Sequence, residues 1–498
     1  MENLIFGILI IIICIAGYYL AFRQFRRQRI LVSIILLMIC GLILRFYAAS
    51  DLYLHQWDER YHALVAKNMI EQPFKPVLYA DPVLSYDYKN WSANHIWVHK
   101  QPFPLWTMAL SMSVFGTNEI ALRLPSIILT TLGIWVTFAI GWSLFNKRVG
   151  FIAAFLYSVH GLIIELTAGR VATDHIDVFF LFFIQLAVWL AIKFARDKKP
   201  LFNVLCGTSI GIAILSKWLP ALIVLPIWLL LVLDSKKFNL KEILVHFTLL
   251  CIVTAVIFLP WQIYTHQAFP LEAQWESAFN LKHLTEILDD QGGPFYYHFN
   301  KVRIIFGELI YLPLIWFLWK SVKNWRNYRR LLIVVWFLVP FLFFSFAKTK
   351  MQAYTLFTAP AIFIITALFW HYMYFYRKRI GYKWLTWPVL ALLLLLPVRY
   401  SFERIKPFEK RERNPGWAQE LRTLNRTMDD KAKVVIFNVD RPVETMFYIN
   451  CTAYPHIPEK NILQELIESG YTLLVNDRGH LPADIKNMNG VEIIHADI

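Results

Sequence analysis

Charge and cysteine are scarce in this sequence. Of 498 residues 17% are charged, against about a quarter in an ordinary soluble domain, while 57% are hydrophobic. A soluble chain of this length would fold into roughly three domains, but so little polar surface could not cover so much apolar volume. The composition therefore excludes a conventional globular protein and implies a membrane one. The five cysteines build no framework: Cys14, Cys40, Cys206 and Cys251 lie in apolar runs, Cys451 stands alone in polar sequence, and no CxxC metal pattern occurs. Internal repeats and low-complexity tracts are also missing.

What is abundant is apolar sequence with basic punctuation. The net charge of +15 would suggest nucleic acid on a soluble chain, but cytoplasmic loops of multi-pass proteins collect Lys and Arg anyway, so no nucleic-acid partner is expected. The first 22 residues are apolar, lack the basic leader and cleavage site of a signal peptide, and precede the basic run Arg23 to Arg29. They read as an uncleaved first span with its N-terminus outward.

A span needs about 20 mainly apolar residues. Candidates fall near 2–22, 30–48, 125–145, 149–166, 176–194, 202–216, 219–233, 243–262, 303–319, 331–346, 353–373 and 383–399, a count of about twelve. Alternating sides brings the basic clusters around Arg26, Lys147, Lys198, Lys237, Arg326 and Lys378 to one face, which is cytoplasmic by the positive-inside rule. The outer face then receives the long loops 49–124 and 263–302 and everything beyond about residue 400. Chemistry is expected there.

The predicted organisation is residues 1–29 as an extra N-terminal helix and basic loop, 30–400 as the membrane domain, and 401–498 as a small soluble α/β domain outside the cytoplasm. In the tail, Val434 to Val439 and Leu473 to Val475 read as buried strands, and Val443 to Ile449 and Asn461 to Ser469 as helices. It has neither a Gly-rich phosphate loop nor a nucleophile elbow, so no catalysis is assigned to it.

The first outer loop opens with His55-Gln56-Trp57-Asp58-Glu59-Arg60-Tyr61-His62. Adjacent carboxylates at a membrane surface suit an acid/base or cation site; an equally simple reading is a solvated helix start with Asp58 favouring the dipole. The loop continues through aromatic sequence to His95-Ile96-Trp97-Val98-His99-Lys100-Gln101-Pro102, where rings beside polar groups suit sugar stacking or the bilayer interface. Arg170, Asp174, His175 and Asp177 fall between two spans, as a functional cavity or an Arg170–Asp174 structural pair. Lys217, Lys348 and Lys350 lie at outer span ends, where the charge rule disfavours lysine, so they form a candidate site for an anionic lipid headgroup or snorkel to lipid phosphates.

With these residues in view the chain resembles type C membrane glycosyltransferases, the protein O-mannosyltransferase and lipid A aminoarabinose transferase family. The resemblance runs over about residues 30 to 370. It is carried by Asp58-Glu59 with Ala63 and Met69, Lys100 with Pro102, Ala121-Leu122-Arg123-Leu124-Pro125-Ser126, Thr173-Asp174, Ser216-Lys217, and Lys348-Thr349-Lys350 through Tyr354. Departures are Gln101 where the family often has Pro, His62 where Tyr is frequent, and Lys282-His283-Leu284-Thr285-Glu286 where aminoarabinose transferases carry a basic residue after Glu-His-Leu.

The resemblance implies a mainly α, polytopic fold of the GT-C type, with about 12 transmembrane helices, juxtamembrane helices in the first outer loop and a small C-terminal α/β domain. It also implies a polyprenyl-phosphate sugar donor, a protein, lipid or glycan acceptor, and a place in the bacterial inner membrane with an extracytoplasmic site. Asp58, Glu59 and Asp174 are the expected catalytic residues. Lys100, Arg170, Lys217, Lys348, Lys350, Tyr354, His62 and His99 are the expected substrate-binding residues. Breaking the sugar–phosphate bond leaves an anion that needs cations more than a proton donor, and an attacking hydroxyl needs a base, for which Asp58 is the choice. Asp58 and Glu59 could hold a divalent cation; no other cofactor is indicated. The alternative class is a transporter or flippase of lipid-linked saccharide, against which stand the lack of repeats and of midplane charges.

Overall fold

The computed structural model describes residues 2–172, 174–377, 383–428 and 433–498, with all their side chains except those of Glu2, Asp174 and Lys383. Thr173, Lys378 and Arg379 thus lie outside the described residues. The chain divides into two compact units, one of Met1–Ala49, Lys100–Pro104 and Pro125–Lys410, the other of Ser50–His99, Leu105–Leu124 and Arg411–Ile498.

The first unit is helical because lipid offers no hydrogen bonds, so each apolar run must satisfy its own backbone. Among the described residues of the whole chain, eight helices are long and apolar enough to cross a membrane; counting two bent pairs as one span each gives up to ten. The chain is a multi-pass membrane protein. Every segment expected to span contains helix, but not all as single rods. The expected spans 149–166 and 303–319 are corrected to bent pairs: Lys147–Ser158 with Gly161–Thr167 turns by 50°, and Tyr297–Phe306 with Glu308–Lys323 by 119°. At the second bend Gly307 has φ +98°, a conformation that ends a right-handed helix and that glycine adopts readily. Expected spans 202–216 and 219–233 are the shorter apolar helices Pro200–Ile214 and Leu219–Ser235. Helix Leu240–Ala268 overruns its expected end, and Pro270–Thr285 makes much of the outer loop 263–302 helical.

Close helix contact in this unit depends on small residues. A Cβ on Gly141 would lie 2.8 Å from the Gly150 Cα, which lets helices Glu119–Leu144 and Lys147–Ser158 meet backbone to backbone. Buried Arg45 ties three segments, donating to Thr130 Oγ1 (2.9 Å) and to the carbonyls of Gly41 (2.9 Å) and Ser158 (3.2 Å).

The second unit contains two juxtamembrane helices, Asp58–Asn68 and the greater part of Pro102–Phe115, and the C-terminal α/β region. Its four strands, β1 (Val434–Phe437), β2 (Thr452–Tyr454), β3 (Thr472–Asn476) and β4 (Val491–Ile494), form a parallel sheet in the order β2-β1-β3-β4. Parallel neighbours require crossovers, supplied by helices that include Pro442–Tyr448 and Lys460–Glu468. The expected strands and helices are all present; β2 and β4 are additions.

Candidate active site

Asp58 and Glu59 are adjacent in sequence, but successive helix positions lie about 100° apart, and the two carboxylates meet opposite environments. Glu59 is fully buried. Arg123 donates from Nε to Glu59 Oε1 (2.7 Å) and from Nη2 to Oε2 (2.9 Å), while His55 binds Oε2 through its backbone N–H and Nδ1, both at 2.7 Å. The other His55 nitrogen faces Asp51 Oδ2 at 3.0 Å. Asp51, also buried, receives Arg411 at 2.5 Å and Arg413 at 3.0 Å. Arg123 completes its fork on the carbonyls of Asp51 (2.5 Å) and Tyr53 (2.7 Å).

Glu59 therefore locks the start of its helix through Arg123 and His55. Both its oxygens are engaged, so the Asp58–Glu59 pair does not fit a shared metal ion, and among the described residues no His, Cys, Asp and Glu group has the arrangement of a metal site. Asp58, half-buried, occupies the first helical position, where the helix dipole favours its anion. Trp57 before it has φ +73° and an exposed side chain.

His62 lies on the buried face of the helix with its ring edge-on to Trp97 at 5.9 Å. His99 stacks on Trp91 at 4.7 Å and is edge-on to Trp97 at 5.6 Å. With Tyr61, which also meets Trp91 and Trp97, these rings form an aromatic wall in the second unit.

The basic candidates are in the first unit. Lys217 follows helix Pro200–Ile214 and is paired with Asp177, a buried residue in the first turn of helix Asp174–Asp197. Its ammonium lies 5.0 Å from the Tyr354 ring centroid. The Lys100–Pro104 segment is fixed beside this corner: Phe103 N donates to Leu215 O at 3.1 Å, and Gln262 Nε2 to Gln101 Oε1 at 2.8 Å. Lys348, Thr349 and Lys350 are strapped to the 263–302 segment through backbone bonds to Leu284 (3.2 Å), His283 (3.0 Å) and Gln291 (2.7 Å). Lys350 is buried, and its Nζ donates to Ala347 O. Burial, and secondarily the like charge of Lys348, push its pKa below the ordinary lysine range, so an anion here would relieve an electrostatic penalty.

Arg170 stands apart from these lysines in its contacts. It donates to Ala48 O at 2.7 Å and Ile405 O at 3.3 Å, where helices Ile30–Ala49 and Lys383–Ile405 end, so it caps helix C-termini. The Asp174 side chain lies outside the described residues. Sequence reasoning passed over Arg123, Arg411 and Arg413 as partners of the acidic segment, and Asp177 as the partner of Lys217. The His55–Glu59 spacing of one helical turn was the available signal for the first group.

These helices and juxtamembrane segments define the fold of the type C membrane glycosyltransferases. A family model described as dolichyl-phosphate-mannose-protein mannosyltransferase matches residues 99–264. ArnT from Cupriavidus metallidurans bound to undecaprenyl phosphate superposes with a TM-score of 0.59 at 16% identity, over 90% of this chain and 86% of that one. The archaeal oligosaccharyltransferase AglB from Archaeoglobus fulgidus, in complex with an inhibitory peptide and a dolichol-phosphate, gives 0.54 at 13% identity, over 85% and 64%.

In sequence the chain is similar to undecaprenyl phosphate-alpha-4-amino-4-deoxy-L-arabinose arabinosyl transferases 1 and 2 of Pseudomonas fluorescens (strain Pf0-1). Each is 27% identical, over 53% and 57% of this chain and 48% and 52% of those proteins. The chain thus matches about half the length of these curated relatives. It is a membrane protein of GT-C fold, resembling the aminoarabinose transferase and protein mannosyltransferase family.

Proposed function

We propose that the protein transfers a hexosyl or pentosyl group from a polyprenyl phosphate to an extracytoplasmic acceptor, with inversion at the anomeric carbon, in the bacterial inner membrane. The observation that carries this reading is the division of labour at Asp58-Glu59. Glu59 is bound by Arg123 and His55, whereas Asp58 stands half-buried at the helix start, and to it we assign the role of base. The acceptor oxygen attacks the anomeric carbon as the sugar–phosphate bond breaks; the hydroxyl proton passes to Asp58, and the polyprenyl phosphate leaves with the bonding pair. Lys217, Lys350 and Lys348 meet the negative charge on phosphate, with Lys100 on its pinned segment. Single in-line displacement needs no covalent glycosyl-enzyme. The aromatic wall of Tyr61, Trp91, Trp97 and His99 suits a sugar face.

Mass spectrometry of envelope lipids, glycans and proteins from cells with and without the protein tests the reading. Loss of one sugar from one acceptor class is expected and would name both; an unchanged envelope with redistributed lipid-linked saccharide would favour a flippase instead.

Lys350 gives a sharper check. Lys350→Met removes a buried charge that the fold disfavours, so Tm in detergent should stay level or rise, while kcat/KM for the lipid donor should fall about 100-fold through loss of phosphate stabilisation. In the wild type, binding that requires the ammonium is complete below the Lys350 pKa and lost as pH rises through it. Because burial lowers that pKa, the alkaline limb of kcat/KM should lie below the ordinary lysine range, and Lys350→Met should abolish it. Activity retained in the variant would remove Lys350 from the donor site.

A further inference from the structure

Within the second unit one short helix of the α/β region, Pro442–Tyr448, grips the Asp58 segment at several places. Lys67, in the last turn of the acidic helix, donates to the carbonyls of Met446 (2.7 Å), Phe447 (3.0 Å) and Ile449 (3.4 Å). These are the final carbonyls of the short helix, where a cation offsets the negative end of the dipole. Burial lowers the Lys67 pKa to about 8, which still leaves the ammonium form predominant at neutral pH. Two turns earlier on the same helix, Arg60 meets the buried carboxylate of Glu444 at 3.2 Å.

Tyr448 acts on the other side of Asp58. Its hydroxyl accepts from Leu54 N at 3.1 Å, in the segment leading to Asp58, and donates to Glu119 Oε1 at 2.5 Å. Glu119 begins the helix that carries Arg123, and Arg123 in turn holds Glu59. Burial and the Glu119 carboxylate raise the phenol pKa, so the proton stays on the Tyr448 oxygen. Lys67 restrains the helix beyond Asp58, and Tyr448 restrains the chain before it and the helix beside it. Together they fix the axial position and rotation of the turn that presents the carboxylate.

We propose that Tyr448 and Lys67 are positioning residues for Asp58, so that the C-terminal α/β region sets the geometry of the acidic segment. The proposal rests on the transferase reading above. Neither residue needs to touch substrate: a displacement of about 1 Å at a reacting group costs on the order of 100-fold in rate. Tyr448→Phe removes one oxygen and keeps the ring, and Glu119 retains its 2.6 Å ion pair with Arg422, so the region stays folded.

The test compares the full-length wild type with Tyr448→Phe, Lys67→Met and, as control, Tyr471→Phe, whose hydroxyl binds exposed Asp81 at 3.2 Å in the same unit. Amide hydrogen exchange is followed over residues 52–68. Release of undecaprenyl phosphate is measured in membranes containing the native acceptors, with undecaprenyl phosphate carrying mannose or 4-amino-4-deoxy-L-arabinose as probes. For Tyr448→Phe and Lys67→Met, exchange across this segment should rise and kcat should fall about tenfold, with the donor KM within twofold. Tyr471→Phe should change neither. Unchanged exchange, or faster exchange with unchanged kcat, overturns the proposal, as does a rate loss that only tracks the unfolded fraction. If the wild type releases no lipid phosphate from either probe while Tyr448→Phe still loosens the segment, the positioning contact stands and the transferase reading fails separately.

Discussion

If Asp58 is the base of the proposed transfer, Asp58→Asn should lower kcat by about 10²–10⁴, the usual contribution of a positioned general base, while Tm should change little. The amide keeps the size of the carboxylate and can still sit at the helix start, but it cannot take the acceptor proton. Asp58 is half-buried, whereas the buried network runs through Glu59, Asp51 and His55, so the substitution should leave that network intact. Circular dichroism, a melting curve and a transfer assay on the same preparation check the outcome. Activity within a few-fold of wild type would remove Asp58 as the base.

Arg123→Leu should give the opposite profile. The guanidinium is fully buried and contacts Glu59 through two nitrogens as well as the carbonyls of Asp51 and Tyr53. Deleting it strands a buried carboxylate and two carbonyls, a loss of about 3–5 kcal/mol for a broken buried pair. A marked fall in Tm is expected, and the protein that remains folded should also turn over more slowly, because Arg123 belongs to the chain of contacts that holds the Asp58 turn. Glu59→Leu combined with Arg123→Leu should cost less than the sum of the single changes, because removing both partners leaves no orphaned charge. Additive losses would mean that the pair is uncoupled.

Legibility in the sequence follows the range of the interactions. Apolar runs such as Ile30–Ala49 and Leu240–Ala268 announce themselves because burial in lipid is a property of the segment alone. The tail strands around Val435 and Leu474 are similarly legible as short, wholly apolar stretches. β2 has three residues and β4 is partly exposed, so neither presents a comparable run. The bend at Gly307 was hidden because hydropathy averages across it.

At the site, the residue types and their order along the chain were visible, but partner choice was not. Asp58 and Glu59 differ only in which side of one helical turn they occupy, and the arginines that decide the matter lie 64 positions away at Arg123 and 360 from Asp51 at Arg411. Asp177 is likewise 40 positions from Lys217, and no local pattern distinguishes it from Asp174. His62 is a substrate-binding candidate through the family resemblance; its ring contact with Trp97, which the sequence places in a distant part of the loop, is not legible locally.

The left-handed backbone at Trp57 bears on how the carboxylate that follows it meets its substrate. Glycine would hold this corner without strain, and an L-residue in so sparsely populated a backbone region costs about 1–3 kcal/mol. A bulky indole restricts φ and ψ far more than glycine would, so the corner has few alternative conformations to visit. The entropy of aligning Asp58 is thereby removed during folding; in the proposed transfer, an acceptor hydroxyl would meet a carboxylate already set in direction rather than one captured on arrival.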